Sequence, residues 1–494
     1  MKQTAHNLIP EIPNPSPDYY CTWQTQLYAT SDGKPAAQRR CIGEEALFGT
    51  EPPFGWSRFY PDARQDLLFV MDDSWDVPPD GDSTYFGSLV LDPEKFPAAA
   101  AAGKDSNAAA LRCLCSRIRA AGWKGLGGWV CAQESERLRG GTAPEDYWRL
   151  RLEEAAESGF AYWKVDWGHR AGDADFRRRL TDLGHKIAPG LTVEHAILPE
   201  VLPHSDVFRT YDVPAILSIP MTMRKLAELL PVRQPDPGCA ELLNCEDEAY
   251  LAAAGGFVMG IMRHPFAGAF PDGRADMSFP ALHRNLKTKL CEVTRAVRWH
   301  RIAPAFAAGA VPVFVDSATL TDSWQFCDIA SEIEAWWLTN PLLGELRDNT
   351  AAITAPARIS RGCPLPDLTP DANGDLPFAV AARNPNGACS IATLGRTVGR
   401  DYRIPRCDAA LEIGDAHTIA AFGDYRSLTL RTTSAPGSVF LQDLAGSTAY
   451  DVTADVTRAD GRIVIPGELI RQIGTEAQPA GDTSEPGVLI RLFR

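Results

Sequence analysis

Phe160-Ala161-Tyr162-Trp163-Lys164-Val165-Asp166-Trp167-Gly168 is an aromatic, apolar run of strand character that stops at a carboxylate and a glycine. Lys164 and Asp166 are two positions apart, so they project from one face, with Asp166 at the strand's exit. In a parallel α/β protein, chemistry collects at that exit. An apolar strand gains nothing from these two residues unless they pair with each other or face a polar cavity. Taken alone, a buried ion pair and a catalytic arrangement account for them equally well. A second acidic strand end upstream, Leu67-Leu68-Phe69-Val70-Met71-Asp72-Asp73-Ser74-Trp75, tips the balance towards a shared mouth.

Outward from these segments, short apolar strands alternate with amphipathic helices from about residue 18 to residue 305. Strands are expected over residues 20–27, 67–72, 125–131, 161–166, 191–195, 207–212, 241–244 and 258–262. Eight of them predict a (β/α)8 TIM barrel. Helices over 107–121, 144–158 and 176–187 stop at Gly122, Gly159 and Pro189, and a long cationic amphipathic helix is expected over 282–301. Beyond Pro304 the period shortens to two, with runs at 311–315, 378–382, 418–422, 427–432, 439–444 and 488–492. The fold class is therefore α/β, a catalytic barrel over 1–305 followed by a C-terminal antiparallel β-sandwich over 306–494. Residues 367–377 and 475–487 read as polar loops.

The chain has 494 residues, 45% hydrophobic, with a net charge of −14. No basic face is available for nucleic acid or an anionic membrane. No apolar run is long enough to span a bilayer, and residues 1–17 lack the pattern of a signal peptide, so a cytoplasmic protein is expected. The 12 cysteines are scattered without metal-type CxxC spacing and read as small apolar residues in a reducing compartment. His169, His195 and His264 form no coherent ligand pattern. No metal or other cofactor is expected. The partner implied is a small carbohydrate, and the sequence is compatible with a homo-oligomer.

A barrel would bring further polar groups to the same rim: Glu194 and His195, Arg209 and Asp212, then Asn244, Glu246 and Asp247. Trp23, Trp75, Trp129, Trp163, Trp167 and Tyr211 lie at or beside the same strand ends. Carboxylates to hold hydroxyls and rings to stack on C–H faces suit a sugar. Two carboxyl groups flanking a glycosidic bond are the minimum equipment for its hydrolysis. Asp166 beside Lys164 is expected to stay ionised, as a nucleophile requires, whereas Asp212 must hold a proton to act as an acid. Structural readings stand beside these: Asp72 and Asp73 as caps, Glu194 as an ion-pair partner of Lys164 or Arg209, and Glu246 and Asp247 as a helix start.

Met71-Asp72-Asp73-Ser74-Trp75, then Gly87-Ser88-Leu89-Val90-Leu91-Asp92-Pro93-Glu94-Lys95-Phe96-Pro97, then Trp163-Lys164-Val165-Asp166 resemble, in order and spacing, motifs of the α-galactosidases of glycoside hydrolase families 27 and 36. The resemblance implies a retaining double displacement with Asp166 as nucleophile and Asp212 as general acid/base. It also implies sugar-binding roles for Asp72, Asp73 and Lys164, with Glu194 and Arg209 near the 2-hydroxyl. Close identity is confined to these motifs. The chain departs from the family pattern at Cys21-Thr22-Trp23-Gln24, at the single Asp212 and at Asn244-Cys245-Glu246-Asp247. An α-galactoside is thus the first expectation. The alternatives are another glycone (a β-L-arabinopyranoside, an α-N-acetylgalactosaminide or an α-glucoside) and a carbohydrate-binding protein without turnover. A metal-dependent sugar isomerase or lyase would need a ligand cluster that the sequence does not display.

Overall fold

A computed structural model describes residues 2–4, 6–30, 37, 40–104, 106–210, 216–231, 238–266, 271, 273, 288–327, 345–434 and 437–493. The first strand, β1 (Lys2–Thr4), belongs to the C-terminal half. It is followed by β2 (Tyr19–Cys21), β3 (Leu68–Met71), β4 (Gly125–Val130), β5 (Tyr162–Val165), β6 (Thr192–His195), β7 (Val207–Arg209), β8 (Leu242–Asn244) and β9 (Gly260–Ile261). Strands β2 to β9 pair in parallel around one sheet, with β9 beside β2. A parallel bridge between Asn244 and Val258 closes the ring, reinforced by Cys245 N–H to the Val258 carbonyl at 2.9 Å. The expected barrel is present. Seven of its strands fall within the expected stretches, each shorter by a few residues, and β2 overlaps the start of the eighth. The exception in type is 20–27, where the chain leaves β2 after Cys21 and turns into the helix Trp23–Ala29.

Alternation along the strands sorts side chains into lumen and outer wall. Tyr19, Cys21, Leu68, Val70, Tyr162, Val207, Val258 and Met262 fill the lumen. Phe69, Met71, Trp163, Val165, Val193, Phe208 and Leu243 face outward into the larger core beneath the helices. Gly127 makes room for the Tyr162 side chain, since a Cβ there would lie 2.5 Å from that of Tyr162. Helices Asn107–Ala120, Pro144–Ser158 and Ala174–Ile187 match expectation, each started by a cap or a proline. Of the long helix expected over 282–301, Leu290–His300 is seen, and 282–287 lie outside the described residues.

The C-terminal half is strand-rich, with a nine-stranded and a five-stranded sheet enclosing a second core that includes Ile391, Leu411, Leu430, Leu441 and Ile490. Most pairings are antiparallel, while Arg358–Arg361 with Phe378–Arg383, Cys389–Leu394 with Thr418–Phe422, and Cys407–Gly414 with Tyr425–Thr432 are parallel. The helix Gly467–Gly474 was not anticipated. Strand β1 pairs with Ala449–Asp451 at the edge of the nine-stranded sheet. Arginines on both sides help knit the halves together. Arg295, on the last helix of the barrel, makes a buried two-pronged contact with Asp443, Nε to Oδ1 at 2.8 Å and Nη2 to Oδ2 at 3.1 Å. Arg361, on the sandwich, donates to the carbonyls of Gly255 at 2.8 Å and Phe306 at 3.1 Å. Trp324 is buried with Ile353 against Leu217 and Met221, between the small sheet that carries it and the helix Ser218–Leu229, while Trp336 and Trp337 lie outside the described residues. Among the described residues, no helix is long and apolar enough to cross a membrane.

Candidate active site

The polar groups stand above the apolar lumen, at the carboxyl ends of the strands, each one step further along the inward-facing series. Leu68 and Val70 lead to Asp72, Tyr162 leads to Lys164 and Asp166, and Val207 leads to Arg209. The fold thus brings Asp72, Lys164, Asp166, Glu194 and Arg209 together. They divide into two connected groups.

In the first, Lys164 pairs with Asp72, Nζ to Oδ2 at 2.8 Å, with both side chains buried. The Cys21 thiol donates to the same oxygen at 2.8 Å, and the Met262 sulfur lies 3.2 Å from Nζ. Asp72 Oδ1 accepts the backbone N–H of Asp73 at 2.8 Å. Burial opposes the charge on Lys164, yet Asp72 raises its pKa above the ordinary lysine value, so the ammonium is retained. Asp73 is half-buried and accepts from the Ser74 hydroxyl at 2.7 Å.

In the second group, Asp166 Oδ1 lies 2.9 Å from Arg209 Nη2, and Oδ2 accepts from Trp129 Nε1 at 3.0 Å. Burial pushes the Asp166 carboxyl up, but Arg209 and then Lys164 outweigh it and hold the pKa below the usual carboxylate value. The close cation of Asp166 is Arg209, whereas the sequence suggested its strand neighbour Lys164. Below this pair, Arg209 also faces Glu194 at 3.6 Å and Glu246 at 3.7 Å. Asn244 donates to Glu194 at 2.7 Å, and the Tyr19 hydroxyl lies within 3.5 Å of both glutamates. Four carboxyl groups thus share two cations. Burial raises Glu194, and it drives Glu246 up to about 8. The cluster keeps a proton at neutral pH.

Several sequence expectations change. Glu194 is fully buried beneath the rim and pairs with Arg209, the structural reading weighed for it. Trp75 is not at the mouth. It is 1% exposed on the outer wall, stacked on Phe160, with its indole N–H on the Trp129 carbonyl at 2.8 Å. The loop after Asp73 turns back over the barrel wall and carries Trp75 with it. Trp23 is half-buried at the start of its helix and packs on the lumen cluster. Trp129 does reach the site, and Trp167, 41% exposed, lies beside it with ring centroids 5.3 Å apart. His195 faces outward to Thr181, at 2.8 Å, and to Arg177, whose guanidinium also donates to the Asp166 carbonyl at 2.6 Å. Asp212 and Tyr211 lie outside the described residues.

The stretch 87–97 serves the site indirectly. Leu89 N–H bonds to Asp76 Oδ2 at 2.9 Å, and Lys95 Nζ donates to the carbonyls of Ser74 and Val77 at 2.7 and 2.9 Å. It braces the loop behind Asp72 and Asp73. Gly87 sits at φ +79° with its α-carbon pressed on the Gln133 carbonyl, where a Cβ would lie 1.9 Å away. Sequence reasoning assigned no contact to Tyr19, Cys21, Tyr162 or Met262. Continuing the period-two series through β2, β5 and β9 would have found them.

No protein-family model matches the chain, and no curated protein matches its sequence. Solved structures are similar in overall architecture. A candidate α-N-acetylgalactosaminidase from Bacillus halodurans shares 10% identity, with 99% of this chain and 100% of that one aligned and a TM-score of 0.42. A family 27 β-L-arabinopyranosidase from Geobacillus stearothermophilus shares 9% identity over 97% and 96% of the chains, with a TM-score of 0.41. An Anoxybacillus α-amylase shares 9% identity over 97% and 98%, with a TM-score of 0.38.

Proposed function

We propose that this chain is a retaining glycoside hydrolase that cleaves a terminal α-glycosidic bond, an α-galactoside first, with Asp166 as nucleophile and Asp212 as general acid/base. The observation that carries the reading is the setting of Asp166. Its carboxyl group stands at the barrel mouth, held from two sides by Arg209 and Trp129 and rimmed by the exposed ring of Trp167, and the guanidinium holds its pKa below the usual carboxylate value. A carboxylate fixed in this way can attack an anomeric carbon without first losing a proton. Asp73 and the Lys164–Asp72 pair supply acceptors and a cation for sugar hydroxyls. Asp212, three residues past Arg209, takes the acid role through the motif resemblance. The barrel part of 1–305, from β2 onward, carries the chemistry, and 306–494, with β1 at its edge, buttress the barrel through the Arg295–Asp443 and Arg361 contacts. Cys115, Cys389 and Cys407, packed as small apolar side chains in the two cores, support a cytoplasmic setting.

The test is a panel of 4-nitrophenyl α-glycosides with a β-L-arabinopyranoside, the product anomer being read by NMR. Hydrolysis with retention is expected. Asp166→Ala should lower kcat by roughly 10⁴-fold or more and resist azide rescue with retention. Asp212→Ala should still accept a dinitrophenyl glycoside and then yield a glycosyl azide of retained configuration. Tight sugar binding without turnover of any glycoside would instead establish a binding protein.

A further inference from the structure

Three metal-type donors meet at the end of the barrel opposite Asp166. His185 lies in the last turn of Ala174–Ile187, Asp206 immediately precedes β7, and Cys239 lies three residues before β8. Backbone bonds from Glu241 N–H to the Ser205 carbonyl and from Leu242 N–H to the Asp206 carbonyl, both 3.0 Å, hold the approaches to β7 and β8 together. His185 Nε2 is 2.8 Å from Asp206 Oδ1, while Asp206 Oδ2 is fixed by the Val193 N–H at 2.9 Å. One donor atom from each of the three residues lies within 4.8 Å of the other two.

We propose that His185, Asp206 and Cys239 bind a zinc-class divalent cation that pins the closed end of the barrel, away from the glycoside chemistry. The donor set selects the metal: one thiolate, one imidazole and one carboxylate suit zinc rather than magnesium or calcium. The geometry needs little change. Ligands about 2.0–2.3 Å from a tetrahedral ion stand roughly 3.3–3.6 Å apart, so the 2.8 Å His185–Asp206 contact opens by about 0.5 Å and the thiol, already within 4.8 Å, closes by at most about 1.3 Å. Asp206 is buried, while His185 and Cys239 are half-buried, so a fourth position on their side can be filled by water. The cysteine is what separates this cluster from an ordinary His–Asp pair. Cys115, Cys131, Cys389 and Cys407 are buried among apolar side chains, whereas Cys239 is placed beside an imidazole and a carboxylate. On binding, the Cys239 S–H bond breaks and its proton passes to solvent as the sulfur–metal bond forms. His185 coordinates through Nε2 with its ring proton on Nδ1.

Metal-free protein titrated with Co²⁺ should develop, at one equivalent, a near-ultraviolet thiolate-to-cobalt band with the intense visible bands of a tetrahedral ion, and Zn²⁺ should bleach both. Cys239→Ser, with unchanged circular dichroism, should lose the ultraviolet band. His185→Gln should weaken binding at least about tenfold. Should Cys239→Ser fail to fold, iodoacetamide labelling of the wild type gives a second readout: Zn²⁺ should protect Cys239 while the exposed Cys327 stays reactive. Equal labelling of Cys239 with and without Zn²⁺, an undiminished band in Cys239→Ser, or no cobalt absorption at micromolar protein would overturn the assignment.

Discussion

Lys164 and Asp72 form an ion pair whose members are almost wholly removed from water. Removing one partner of such a pair leaves the other charge uncompensated. Lys164→Met is therefore expected to cost about 3–5 kcal/mol of stability, read as a shift in the urea midpoint, in addition to any loss of sugar affinity. A Lys164→Met protein as stable as wild type would show that Asp72 finds another partner. Glu246 gives a pH effect of determined sign. Its folded pKa of about 8 stands above the ordinary glutamate value of 4.5, so over that interval the folded protein holds a proton that the unfolded chain has released. That stabilisation is complete below the unfolded value and is lost as pH climbs through about 8. Glu246→Gln keeps the neutral form at every pH. Urea midpoints measured from about pH 5 to pH 9 should fall less steeply for Glu246→Gln than for wild type.

At the scale of single elements, the barrel strands announce themselves through length, β-branched and aromatic content, and punctuation. That is why β3 to β9 fall close to expectation. The stretch 20–27 does not, because Tyr20-Cys21-Thr22-Trp23 carries strand propensity while the hydrogen bonding beyond Cys21 is helical, with Gln26 N–H on the Thr22 carbonyl at 2.8 Å. Local preference lost there to the geometry of the barrel mouth. Tight contact between elements is sharpest at Gly127. Gly127→Ala should cost about 1–3 kcal/mol because the new methyl meets Tyr162, whereas Gly141→Ala, with nothing within 4 Å, should shift the thermal midpoint little.

Over the whole molecule, the sequence displayed the order of barrel then sheets and most of the residues at the mouth. It could not display which cation meets which carboxylate, because that depends on the radial placement of Lys164 and Arg209 around a closed ring. The strand motif suggested Lys164 with Asp166, and closure instead pairs Lys164 with Asp72 and Arg209 with Asp166. The candidate cation cluster was invisible for a related reason: residues 185, 206 and 239 have no short spacing and meet only where successive strands begin. The joint between the halves gives a prediction at this scale. Asp443→Ala strands the buried Arg295 guanidinium and should cost about 3–5 kcal/mol. Calorimetry should then show unfolding of the variant at a lower temperature than wild type, or in more separate steps as the halves uncouple.

The strand Lys2–Thr4 completes an edge beside Ala449–Asp451, and just after it the Leu8 N–H is held by the side chain of Gln442, 434 residues further on. On the ribosome, Lys2–Thr4 and Leu8 therefore emerge some 434 residues ahead of the segment that holds them. At about 5–20 residues per second, the amino-terminal segment waits roughly 20–90 s for its sheet, while the barrel between them has time to close. Construction of this molecule is a loop in time, an early segment set in place only by a much later one.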